Sequence, residues 1–119
     1  MNNHGFTLLE LLVALGISSV LAAIAIPQYQ QYRQRAFDAR ALSDLQNIAL
    51  AEEAYFIDNE AYLSCSDDIC LALPGIAAIS SWVSVSISAA ESSFTGNSSN
   101  SKGSGKIYQW DSAAGGLLN

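Results

Sequence analysis

Glu10 is the residue whose chemistry most needs a cause. It stands at the front of an apolar run, Leu11 to Pro27, that holds no other ionisable group. If that run enters a bilayer, a carboxylate costs roughly 2.5–3.5 kcal/mol near the helix centre and less towards an end. A sequence that keeps such a group implies a partner for it. The other distinctive pair is Cys65 and Cys70, the only cysteines. Their spacing leaves open a disulfide, two free thiols or half of a metal site. His4 is the only imidazole, and the chain has no phosphate-binding loop, GxSxG turn or paired-cysteine metal array. With a single imidazole and none of these motifs, an enzyme is not expected. Glu52, Glu53, Asp58, Glu60, Asp67 and Asp68 lack the spacing of a calcium loop and read as a solvated acidic surface. No metal and no cofactor are expected.

The elements that must position these groups follow from composition and periodicity. The chain has 119 residues, which suits one small domain beside a membrane segment. Its formal net charge is −6, from 11 acidic and 5 basic residues. That balance argues against nucleic-acid binding, which relies on Lys and Arg against phosphate. The uncharged stretch from Leu11 to Tyr32 is long enough for a helix of about 30 Å. Pro27 lacks an amide hydrogen and is expected to kink or interrupt that helix. Gly16 and Pro27 bracket a stretch that could lose helical order. From Gln28 to about Ile57 the sequence is again helix-forming, with Leu42, Leu45, Ile48 and Ala49 as one apolar stripe.

Beyond the helix, Trp82 to Ser88 alternates apolar residues with serine, the pattern of a half-buried strand with Val83, Val85 and Ile87 inward. Ser92 to Thr95 is a short strand candidate, and Gly96 to Gly105 reads as an exposed loop. Lys106 to Asp111 is a further strand, with Ile107 and either Tyr108 or Trp110 as its candidate packing residues. The expected fold class is α+β: one long N-terminal helix, membrane-embedded in its first half and amphipathic in its second, packed on a small antiparallel sheet of three to four strands.

The segment Gly5-Phe6-Thr7-Leu8-Leu9-Glu10-Leu11-Leu12 resembles the processing motif of type IV pilins and pseudopilins. The likeness continues through Leu21 to Tyr29 into the amphipathic helix. Gly103 to Lys106, followed by Tyr108-x-Trp110-Asp111, is similar to the last strand of some bacterial pilins. The resemblance implies a leader at residues 1–5, a filament-core helix at 6–27, an amphipathic helix at 28–60 and a loop with a small sheet at 61–119. It implies cleavage between Gly5 and Phe6 by a prepilin peptidase, N-methylation of Phe6, and loss of His4 with the leader. The partners implied are further copies of the same chain, the peptidase and methyltransferase, and the inner-membrane assembly machinery. The implied route is an inner-membrane precursor with its head in the periplasm, then an extracellular filament.

On this reading the partner of Glu10 is the amine freed at Phe6. In an apolar surround such a pair orients two chains more than it stabilises them. Gly16 and Pro27 would bound a segment that melts during assembly. In an exported head Cys65 and Cys70 suit a disulfide, worth about 2 kcal/mol for so short a loop. The alternatives are a minor pilin or secretion pseudopilin and, from another class, a membrane-anchored binding module that never polymerises.

Overall fold

The computed structural model describes residues 5–119; residues 1–4, and His4 with them, lie outside the described residues. One helix, α1, runs from Leu8 to Asn59. It is unbroken through Gly16 and Pro27, so the expected interruption does not occur. Pro27 withholds only the single hydrogen bond that its missing N–H would have made to the carbonyl of Ala23.

The chain divides into two compact units, Met1–Arg33 and Gln34–Asn119. In the first, every described residue is exposed, including Leu8, Leu12, Leu15, Ile17, Val20, Leu21 and Ile24. Its apolar stretch has a mean hydropathy of 2.4 over eighteen residues, with none of that window buried. Among the described residues this is a helix long and apolar enough to cross a membrane. A helix that exposes large aliphatic side chains on every side needs lipid or other helices around it.

The second unit, here called the head, builds its core between α1 and a five-stranded antiparallel sheet. The strands are β1 (Cys65–Ser66), β2 (Val83–Ala89), β3 (Phe94–Asn100), β4 (Ile107–Asp111) and β5 (Gly116–Leu117), paired in chain order. A 3-10 helix, Asp67–Ala72, follows β1. The strand count exceeds the expected three to four because β1 and β5 are only two residues long. Ala41, Leu45, Ile48 and Ala49 of α1 meet Val85 and Ile87 of β2, Phe94 of β3 and Tyr108 of β4 in one cluster. Leu42 is half-buried at its margin.

β3 overturns the loop expected from Gly96 onwards. Gly96, Ser98 and Asn100 form its inward face. A Cβ at Gly96 would fall onto Ile87 Cδ1 and within 3.3 Å of Leu45 Cδ1, so only glycine lets the helix approach there. Ser98 Oγ donates to the Ala41 carbonyl at 2.6 Å, and Asn100 Nδ2 donates to the Phe37 carbonyl at 3.0 Å. The strand thus buries small polar groups against helix backbone, each with its hydrogen bond made. β4 departs from expectation at Ile107, which is exposed, while Tyr108 and Trp110 pack on the core.

Candidate functional site

The N-terminal turn of α1 is a reciprocal cap. Glu10 N donates to Thr7 Oγ1 at 3.1 Å, and Thr7 N donates to Glu10 Oε2 at 3.0 Å. Leu11 N donates to the Thr7 carbonyl at 3.2 Å, closing the first helical ring. This is the capping box, with threonine at the N-cap and glutamate three residues on. The sequence reading missed it, although Thr-x-x-Glu before an apolar run is its signature. Glu10 therefore has a partner in its own turn, and that partner lies one residue from Phe6. Phe6 is exposed, and Gly5 and Phe6 precede the helix in irregular backbone. The carboxylate and the predicted cleavage point are thus held together by local geometry.

Cys65 and Cys70 are joined in a disulfide. The bridge links β1 to the 3-10 helix, and both cysteines are buried. Asp67 inside this short loop accepts hydrogen bonds from Val85 N at 2.9 Å and Ser84 Oγ at 3.2 Å, tying the loop to β2. Among the described residues no group of three or more His, Cys, Asp or Glu is placed to hold a metal ion.

Glu52 corrects the reading of a wholly solvated acidic surface. Its side chain is fully buried on the sheet side of α1. Oε2 accepts from Leu63 N at 2.9 Å, pinning the chain just after the helix, while Oε1 has no partner. Burial pushes the Glu52 carboxyl above the ordinary carboxylate range; the Leu63 N–H pulls it back, and the neighbouring charge of Glu53 raises it further. Glu53 itself is exposed and accepts from the Tyr62 hydroxyl at 3.2 and 3.3 Å. Tyr62 stacks on Phe56 at 4.6 Å and tilts against Phe94 at 4.9 Å, so aromatic packing closes this end of the head.

Asp38 is the second buried acid that the apolar stripe did not reveal. Its two oxygens accept from Ser104 N at 3.1 Å and Ser104 Oγ at 2.6 Å, fixing the turn between β3 and β4. Asp44 likewise accepts from Ser80 N and Oγ, at 2.8 and 3.1 Å. Beside it, an open cleft of about 650 Å³ lies between α1 and residues 74–79. Its lining is mostly alanine, leucine, isoleucine and proline, and it holds no arrangement of nucleophile and base.

The described chain thus joins an apolar N-terminal helix, led by a capped carboxylate, to a small disulfide-bonded α+β head. Residues 1–26 match the family model described as the prokaryotic N-terminal methylation motif. The chain is 42% identical over 60 residues to a fimbrial protein of Pseudomonas aeruginosa, covering 50% of this chain and 39% of that one. It is 41% identical over 63 residues to the major component of the wide type IV pilus of Thermus thermophilus, covering 53% and 48%. A core protein G of the type II secretion system from Pectobacterium carotovorum is 37% identical over 61 residues, covering 51% and 39%. The chain spans less than half the length of these relatives, and the likeness to type IV pilins covers about half of this chain.

Proposed function

We propose that the chain is a structural subunit of a type IV pilus, a major pilin that polymerises through its N-terminal helix. The observation that carries this reading is the helix from Leu8 onward. It exposes aliphatic side chains all round and is led by one carboxylate capped against Thr7. Such a helix is at home in lipid before assembly and among copies of itself afterwards. In the proposal, residues 1–5 are a leader that keeps the Phe6 nitrogen in an uncharged peptide bond. Cleavage after Gly5 frees the amine, methylation leaves it cationic, and Glu10 exchanges its cap for an ion pair with that amine. The pair forms within one subunit or with the amine of a neighbour; across subunits it fixes axial register. Gly16 and Pro27 bound the segment that would yield if the helix extends during assembly. The precursor would sit in the inner membrane with its head in the periplasm, and the product would be extracellular. Processing would need a prepilin peptidase with methyltransferase activity, and polymerisation would need the inner-membrane assembly machinery. No catalytic role is assigned to the chain.

The test is mass spectrometry of filaments sheared from the cell surface. An abundant chain beginning at methylated Phe6 supports the proposal. A chain that keeps residues 1–5, or that stays wholly in the membrane fraction, overturns it. The likeness to a secretion-system core protein keeps one rival, a pseudopilin. That reading requires cleavage and methylation without abundant long filaments, so the same shearing experiment separates the two.

A further inference from the structure

The cations of the head gather at one end. Every Lys and Arg beyond residue 33 lies where α1 enters the head: Arg35 and Arg40 on the helix, Lys102 and Lys106 in the β3–β4 turn. That turn is fastened to α1 at Phe37 and Asp38 through Asn100 and Ser104. The two lysines are held by aromatic rings. Lys102 Nζ lies 4.2 Å from the centroid of Trp82, and Lys106 Nζ lies 4.8 Å from that of Tyr108. At this end Asp38 is buried with both oxygens hydrogen-bonded by Ser104, and exposed Asp67, with Asp68 next to it, accepts from Ser84 Oγ and Val85 N near the Val83–Asn100 pairing. Exposed Trp82 and Ile107 sit beside the lysines.

The opposite end is acidic. Asp58 and Glu60 flank the end of α1, Glu53 lies on its last turns, and Glu91 occupies the β2–β3 turn. That turn joins Ala89 to Phe94, whose ring meets Tyr62 just past the helix, so these acids share one pole. All four are exposed, and exposed Ile57 lies among them. The two poles are about 30 Å apart along α1, at 1.5 Å per residue from Phe37 to Ile57. The last turn of α1 holds no basic residue, so its carboxylates face the negative end of the helix dipole. Nothing within the head offsets that local cost with a cation, since its cations are all at the other pole.

We infer that heads stack pole to pole, the basic end of one copy on the acidic end of the next. The occupant of each pole is a second copy of this chain, chosen by charge complementarity and by the exposed aromatic and aliphatic side chains that flank both charge sets. Such an interface is heterologous, and a heterologous contact that does not close propagates as a filament. The charges would set the order and orientation of approach, while the apolar helix supplies cohesion. This inference rests on the pilus-subunit reading and adds to it a polarity code in the head.

The test uses the full chain in its own cells, with filament yield read by shearing. Three variants are compared with wild type: Lys102→Glu/Lys106→Glu, Asp58→Lys/Glu91→Lys, and all four substitutions together. Membrane level and the Cys65–Cys70 bridge are measured in each. Reversing Lys102 and Lys106 alone, or Asp58 and Glu91 alone, removes the net charge of that pole and sets the substituted groups like charge to like charge, and should lower yield about tenfold. The fourfold variant exchanges the signs of the Lys102/Lys106 and Asp58/Glu91 sets, so that the substituted groups attract one another again across the contact, and should recover most of the yield. The single-pole losses should also shrink in 1 M salt, where the screening length is about 3 Å. Unchanged yield with one pole reversed overturns the stack. Loss that the fourfold variant does not restore overturns it too, and assigns the charges to another partner such as the assembly machinery or an anionic surface. Absence of filaments from wild-type cells overturns the subunit reading itself, and the stack with it.

Discussion

Replacing Glu52 by glutamine should make the head more stable at neutral and alkaline pH and leave it nearly unchanged in acid. Glu52 is fully buried, one oxygen takes the Leu63 N–H, and the other has no partner. Glutamine keeps an oxygen for Leu63 and removes the charge. A buried acceptor left unsatisfied costs about 1–3 kcal/mol, and more when charged. Glutamine leaves an uncharged NH2 where Oε1 had no partner, so only the part of that cost owed to the charge is regained, roughly 1 kcal/mol at pH 8. The sign with pH follows from the raised pKa of the folded carboxyl. Between the unfolded and folded pKa values the native state holds more protons, so wild-type stability falls as pH rises through that window. Below it the carboxyl is protonated in both states and the variant's advantage disappears. Glu53 and the Tyr62 hydroxyl, the titratable groups facing this carboxyl, are unchanged in the comparison. The assay is urea unfolding of the full chain in detergent with the disulfide intact, followed by the fluorescence of Trp82 and Trp110, from pH 4 to pH 8. Parallel curves for the two proteins at every pH would refute the reasoning.

Three further perturbations address the parts that position the site. Gly96→Ala should cost about 1–3 kcal/mol, because the new methyl meets Ile87 and Leu45 in a packed core; urea midpoints measure it. Removing the disulfide with Cys65→Ser/Cys70→Ser should cost about 2 kcal/mol and loosen the chain from β1 to Ala72. Hydrogen exchange should then rise at Val85 N, which donates to Asp67 inside that loop. Thr7→Ala should lose about 1 kcal/mol of helix-end stability and speed amide exchange over residues 8–10 in detergent, leaving the head unaffected.

These perturbations fall partly on residues that the sequence revealed and partly on residues it hid. Gly5 to Leu12 could be read because the motif is local and unusual: one carboxylate before a long apolar run. β2 could be read because Val83, Val85 and Ile87 alternate with serines. β3 could not, because its inward residues are Gly96, Ser98 and Asn100, and nothing apolar marks the face that meets the helix. Their reason is three-dimensional: close approach of α1, and helix carbonyls that need donors from the sheet. Asp38 and Glu52 were hidden for a related cause. Each serves a backbone N–H distant in sequence, Ser104 and Leu63, so neither burial has a local signal. The two-residue strands β1 and β5 are too short to carry a period. Pro27 does not end the helix, since a helix tolerates one missing hydrogen bond when its neighbours continue the turn. Only the cap at Thr7 and Glu10 was fully legible and overlooked.

That cap supplies the sharpest test of the account, because Thr7→Ala and Glu10→Ala each remove one of its two hydrogen bonds, the first the acceptor for Glu10 N and the second the acceptor for Thr7 N. If Glu10 serves only as a helix cap, the two variants should assemble equally well. If Glu10 pairs with the amine freed at Phe6, they should differ. The measurement is filament yield from cells expressing each variant, beside the amount of cleaved chain in the membrane. The account predicts normal cleavage in both, filaments from Thr7→Ala, and few or none from Glu10→Ala. Normal filament numbers from Glu10→Ala would contradict it.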